Sequence, residues 1–169
     1  MKKNERVLNR FELKKLIGQT TFGEVWLSKD IKTGEMVSLK TISSDFVPTK
    51  TELRKVKKEF KIYSQIKSRF IAQMKEFFDE DGYIFFTMEF VEGVSLPKIK
   101  KNSLLDTLKH FLTISKGLIE IHNYGLVHGD LKPHDIIVSP DQSTKLVDSG
   151  FLSFFGKKAA GSRSDYSYT

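Results

Sequence analysis

Three side chains within six residues carry the densest chemistry in this chain. In His128-Gly129-Asp130-Leu131-Lys132-Pro133-His134-Asp135-Ile136, a carboxylate stands at 130, an ammonium at 132 and a second carboxylate at 135. A loop holding all three can present a base to a hydroxyl, a cation to a moving phosphoryl group and a hard oxygen donor to Mg²⁺. That combination suits phosphoryl transfer to a hydroxyl.

The run resembles the catalytic loop of eukaryotic-type protein kinases, usually H-R-D-L-K-P-x-N, with Gly129 for the arginine and Asp135 for the asparagine. Other stretches resemble further parts of that family, in the family's order. Ile17-Gly18-Gln19-Thr20-Thr21-Phe22-Gly23-Glu24-Val25 follows the phosphate-covering hairpin G-x-G-x-x-G-x-V, with Thr20 at the middle glycine. Val37-Ser38-Leu39-Lys40 resembles the V-A-I-K strand, and Glu59 follows inside a helical pattern. Tyr83 to Val91 resembles the last strand of the first lobe and the hinge, and Asp148-Ser149-Gly150 resembles D-F-G. Taken singly, each has a plainer reading: a hairpin, a snorkelling lysine, a surface glutamate, a turn. Order and spacing give them their weight.

The resemblance implies roles for each of these residues. Lys40 is expected against the α and β phosphates of ATP, held there by Glu59. Gly18 and Gly23 lie in the hairpin over the phosphates. Ile17, Val25, Ser38 and Ile137 sandwich the adenine, Met88 guards the back of its pocket, and the Glu89 carbonyl and Val91 backbone bond the base. Asp130 orients or deprotonates the nucleophile, and Lys132, typical of the serine/threonine branch, meets the transferring phosphate. Asp135 and Asp148 chelate Mg²⁺. The cofactors implied are ATP and Mg²⁺, and the substrate is a protein bearing Ser or Thr.

The elements needed to position these residues are legible in the hydrophobic pattern. Met36 to Ile42 alternates as a strand does, while Leu53, Val56, Phe60, Tyr63 and Ile66 recur at helical spacing. Leu104, Leu105, Leu108, Phe111, Leu112, Ser115, Leu118, Ile119 and His122 mark a long amphipathic helix expected at the core of a second lobe. The expected fold is α+β and bilobal. An antiparallel-sheet lobe with one main helix, and the hinge, occupy 1–92; an incomplete, mainly helical lobe occupies 93–169.

Composition agrees with this reading. The 169 residues hold no cysteine, which excludes a disulfide scaffold and thiolate chemistry, and 39% are hydrophobic, as in globular domains. No apolar run approaches a membrane span, so no membrane is expected and the cytoplasm is the default location. The net charge of +7 includes the lysine clusters 55, 57, 58 and 98, 100, 101. Without a nucleic-acid fold signature these read as solvated faces.

Four departures pull against a fully active kinase: Thr20, Gly129, Asp135 and Ser149. Glycine at 129 supplies no cation for a phosphorylated activation segment, so activation through Ser162, Ser164, Tyr166, Ser167, Tyr168 or Thr169 is not expected. Ser149 removes an aromatic that packs under the Glu59 helix in the family, in a column with Tyr63, Met74 and His128, which predicts an easily broken Lys40–Glu59 pair. The sequence stops just before the family's A-P-E, so the Leu104–His122 helix is expected to show apolar surface unless a partner or dimer mate covers it. Three readings stay open: a Ser/Thr kinase, a nucleotide-binding pseudokinase acting as a regulatory or scaffold module, and an inactive fragment.

Overall fold

The computed structural model describes residues 1–20, 23–42, 49–80, 82–100 and 102–148. The expectations placed on Ser149, on the stretch 161–169 and on the hairpin tip at Thr21 and Phe22 lie outside the described residues.

Strand alternation builds the first layer. β1 (Arg6–Val7), β2 (Phe11–Thr20), β3 (Gly23–Asp30), β4 (Met36–Ile42), β5 (Met74–Glu80) and β6 (Tyr83–Glu89) form one antiparallel sheet in the order β1-β2-β3-β4-β6-β5. Successive side chains of a strand face opposite ways, so β4 contributes to two cores. Val37 and Leu39 join Phe11, Leu13, Trp26 and Phe85 on one face. Ile42 lies on the other face with Ile84, Phe86 and Met88 of β6, against the helix α1 (Lys50–Tyr63). The same alternation puts Ser38 and Lys40 on the α1 side, and both are buried.

α1 starts at a reciprocal cap: Thr49 Oγ1 accepts from Glu52 N at 3.4 Å while Glu52 Oε2 accepts from Thr49 N at 2.7 Å. Val56, Phe60 and Tyr63 recur at the expected spacing and are buried against the sheet.

The second lobe holds the helix α2 (Leu104–Asn123) and a small antiparallel sheet of β7 (Val94–Ser95), β8 (Ile136–Val138) and β9 (Thr144–Leu146). Here one expectation is corrected. The stripe that α2 buries is His110, Ile114, Gly117 and Ile121, whereas Leu104, Leu105, Leu108, Phe111, Leu112 and Ile119 are exposed. Gly117 packs α2 against Phe70 and Ile71, where a Cβ would stand 3.4 Å from both. The leucine-rich face is left showing. The α+β, two-lobed architecture is otherwise as expected.

Two sets of contacts fix the lobes for the site. Ala72 N donates to Leu146 O and Leu146 N to Phe70 O, both at 2.8 Å, so β9 is stitched to the segment entering β5. Ile114, Ile121, Ile136 and Leu146 also belong to the same apolar cluster as Val56, Phe60 and Phe86. Within the first lobe, Arg10 grips Asp30 through Nε (2.9 Å) and Nη2 (2.7 Å) and Glu76 through Nη1 (2.8 Å) and Nη2 (2.6 Å), tying the β1–β2 turn to the ends of β3 and β5.

The Arg10 hydrogen bonds hold the Asp30 carboxyl well below the usual carboxylate range, against burial, which pushes the other way. Stability drawn from this carboxylate is complete above its unfolded pKa of about 4 and is lost as pH falls through the depressed folded value. Asp30→Asn is therefore expected to cost about 2 kcal/mol at neutral pH. In urea melts the gap from the unaltered chain should shrink in acid; a pH-independent gap would refute the assignment.

Candidate active site

Lys40 is carried into the interior by the β4 ladder, paired across to Val25 on one side and Phe86 on the other. A buried ammonium needs a counter-charge. It finds one 108 residues away, where Nζ donates to Asp148 Oδ2 at 2.6 Å, and it also lies 5.8 Å from the centre of the Phe86 ring. Asp148 is brought there by β9, which ends two residues earlier, and by His128, whose Nε2 stands 2.7 Å from the Asp148 carbonyl oxygen. Because a carbonyl only accepts, Nε2 carries the proton in this pairing. Nδ1 of His128 is buried without a hydrogen-bond partner among the described residues.

The loop 128–135 is arranged around the same point. Lys132 Nζ donates to Asp130 Oδ2 at 2.6 Å, and this bond raises the Lys132 ammonium above its ordinary value. Both side chains are exposed to solvent. Asp135 accepts from Lys132 N at 2.9 Å through Oδ2, closing the 3-10 turn Pro133–Asp135, while its carbonyl accepts from Val147 N at 2.8 Å. Asp135 is thereby set beside Asp148, and its carboxyl is pushed up first by burial and then by the Asp148 charge. The two expected metal ligands are thus brought together. Two carboxylates suit a hard divalent cation such as Mg²⁺, which takes few protein ligands and completes its shell with water and phosphate. Among the described residues no third His, Asp or Glu joins them in a ligand cluster.

Gly129 has a positive φ of 77°. Glycine occupies that region without strain, so the departure from arginine removes a cation and at the same time relaxes the backbone beside Asp130.

The expected pairing of Glu59 with Lys40 is not found. No ion pair joins it to Lys40 among the described residues; Lys40 is on Asp148 instead. Glu59 is half-buried on α1, and burial raises its carboxyl, partly offset by Lys55. Tyr63, one turn further on, has its phenol pushed up by burial and then by the charges of Glu59 and Asp148. The charge of Asp148 also acts on Asp135, so the Lys40 ammonium sits on a carboxylate with an anionic neighbour, whereas Glu59 has Lys55 nearby.

The expected nucleotide wall is partly assembled by strand register. Gly18, Val25 and Lys40 lie in one row across β2, β3 and β4, and Ser38 pairs with Met88, which is buried. Gly23 lies so near β4 that a Cβ would stand 1.9 Å from the Thr41 carbonyl oxygen, which only glycine allows. Ile17 is exposed on β2, while Val91 and Ile137 are half-buried after β6 and on β8. The carboxylate of Glu89 is held by Gln73 N and Lys145 Nζ. That use of Glu89, Gln73 and Lys145 carries no signal in the sequence, since the partners are 16 and 56 residues away and of common types.

With this geometry in place, likeness to known proteins is decisive: the protein kinase domain model matches residues 11–169. The chain belongs to the protein kinase family. Similar kinases include CBL-interacting serine/threonine-protein kinase 12 of Arabidopsis thaliana, 31% identical over 147 residues, covering 85% of this chain and 30% of that protein. CBL-interacting serine/threonine-protein kinase 5 of the same plant is 32% identical over 155 residues, covering 89% and 35%. This kinase-family chain therefore spans about a third of the length of those relatives. In fold it is similar to the PknI kinase domain of Mycobacterium tuberculosis, with a TM-score of 0.77 at 18% identity over 90% of this chain and 62% of that one. No helix among the described residues is long and apolar enough to cross a membrane.

Two substitutions check the geometry of the kinase loop. Gly129→Ala places a Cβ in the left-handed region and is expected to cost about 1–2 kcal/mol in denaturant melts; no loss would mean that the loop does not hold this conformation. Asp135→Asn removes one of two facing charges, so the thermal midpoint in metal-free buffer should rise, and a fall would show that the carboxylates do not oppose each other.

Proposed function

We propose that this kinase-family chain carries the catalytic half of a serine/threonine kinase site, transferring the γ-phosphoryl group of ATP to a Ser or Thr hydroxyl of a protein. The observation that carries this reading is the 2.6 Å contact of Lys40 with Asp148, which gathers the two lobes around one charged centre beside Asp130, Lys132 and Asp135. Asp130, an exposed carboxylate, accepts the proton as the substrate oxygen bonds to the γ-phosphorus and the bond to the β-bridging oxygen breaks. Lys132, already drawn to Asp130, supplies a cation at the transferring group. Asp135 and Asp148 would hold Mg²⁺, which when bound neutralises charge on the phosphates. Lys40 must leave Asp148 to reach the α and β phosphates.

The serine/threonine choice is supported by Lys132 and by the names of the similar kinases. Gly129 offers no cation to an activation-segment phosphate, so we place control elsewhere than in loop phosphorylation. The exposed apolar face of α2 supports a covering partner, dimer mate or further polypeptide. Cytoplasm, where ATP and protein substrates meet, is the proposed location.

A second reading has its own observation. Lys40 is paired to Asp148 and not to Glu59, and Asp135 adds charge next to the phosphate site, which favours a nucleotide-binding pseudokinase with a regulatory or scaffold role.

Thermal shift with ATP and Mg²⁺, followed by transfer to a Ser/Thr peptide, separates them. On the first reading, Asp130→Asn lowers transfer by roughly 10²–10⁴-fold and keeps nucleotide stabilisation, while Lys40→Met weakens both. Stabilisation without transfer selects the second reading, and the absence of both overturns the nucleotide-site reading altogether.

A further inference from the structure

The residue at the end of β6 is tied into the fold at both its ends. Glu89 N donates to Gln73 O at 2.8 Å, and Glu89 Oε2 accepts from Gln73 N at 3.2 Å. Its other carboxylate oxygen accepts from Nζ of Lys145 on β9. Gln73 passes the connection on, for its Nε2 donates to Ser64 O, the C-cap of α1, and to Met74 O, both at 2.9 Å. Lys145 stands three residues before Asp148. One polar chain thus runs from the end of the helix that bears Glu59, through the strand end where the base is proposed to bind, to the strand that delivers Asp148.

The ion pair in this chain is not an ordinary surface pair. Its side chains are 23% and 33% exposed, so water and salt screen it less than a fully solvated pair, and the carboxylate also has a backbone donor to satisfy. Among the described residues, Lys145 is the contribution of the second lobe to this polar chain; Ser64, Gln73 and Glu89 all lie before the hinge.

We propose that Lys145 and Glu89 are positioning residues, whose ion pair clasps the end of β6 to β9 and, through Gln73, to the end of α1. Opening the cleft then requires breaking a partly buried ion pair. The clasp acts on nucleotide exchange without touching the phosphates. This rests on the nucleotide reading above for its second measurement but not for its first.

The first measurement is hydrogen exchange of the full chain without nucleotide. In Lys145→Met, amides at 61–66, at the far end of the polar chain, should exchange about fivefold faster, and Lys145→Arg should restore protection. Glu89→Gln keeps an acceptor for Gln73 N but loses the charge, and should fall between the two; it keeps the test decisive if Lys145→Met fails to fold. Faster exchange confined to β8 and β9 would overturn the clasp. The second measurement is dissociation of a fluorescent ATP analogue, expected about threefold faster in Lys145→Met and unaltered in Lys145→Arg. Equal rates in both variants would overturn the link to exchange. An unaltered chain that binds no analogue would instead overturn the nucleotide reading, with the exchange result still deciding the clasp.

Discussion

A lysine ammonium buried under a β-sheet has to meet a negative charge, and in this protein only the fold can deliver one. Lys40 is placed inside by the alternation of β4, with Val37 and Leu39 committed to the opposite face. Its counter-charge, Asp148, arrives from the second lobe on a strand hydrogen-bonded to residues 70 and 72. Removing Asp148 would leave the buried Lys40 ammonium without this counter-charge, which is costlier than losing a solvated pair. The contact accordingly depends on everything that holds the lobes in register, including the apolar cluster that runs from β6 through α1 to α2.

The second consequence of that contact is electrostatic. Asp130 is paired with the Lys132 ammonium and Asp148 with that of Lys40, while Asp135 accepts from the Lys132 backbone N–H. An aspartate at 135 keeps an oxygen ligand for a hard cation, yet it also puts a second anionic group next to Asp148. Lys40 resolves the crowding by binding Asp148, which leaves Glu59 half-buried on α1 without it. Two of the three carboxylates are thus paired with ammonium groups, and Asp135 is held by a backbone donor. On the proposed reading, a triphosphate and its metal would have to compete with these internal pairs.

The hydrophobic architecture is lopsided. The first lobe closes two cores, one on each side of its sheet, whereas α2 buries a narrow stripe and shows a row of leucines on the other side. A helix pattern reports only that a face is apolar. Which of two apolar faces meets the rest of the structure is settled by packing, and here it is the stripe through Ile114, Gly117 and Ile121, with Gly117 against Phe70 and Ile71. The hydrogen bond of His110 Nδ1 with Thr144 Oγ1, 2.8 Å apart, adds a polar lock on the same side.

Local rules were enough to read much of this chain. Period-two and 3.6-residue patterns marked β4, α1 and α2, since side-chain direction follows directly from backbone geometry. The run 128–136 showed which functional groups share a loop, because proximity in sequence guarantees proximity in space. Family likeness singled out Lys40 and Asp148 as residues of one site, but for roles toward phosphates and metal, and their contact with each other was found only in the fold. Choices among partners at long range were not legible: Lys40 took Asp148 and left Glu59, and Glu89 took Lys145. Sequence specifies which charges exist and which face of an element they occupy. Their pairing is settled by three-dimensional distance and by the field of all neighbouring charges, and both come into being only when the lobes pack.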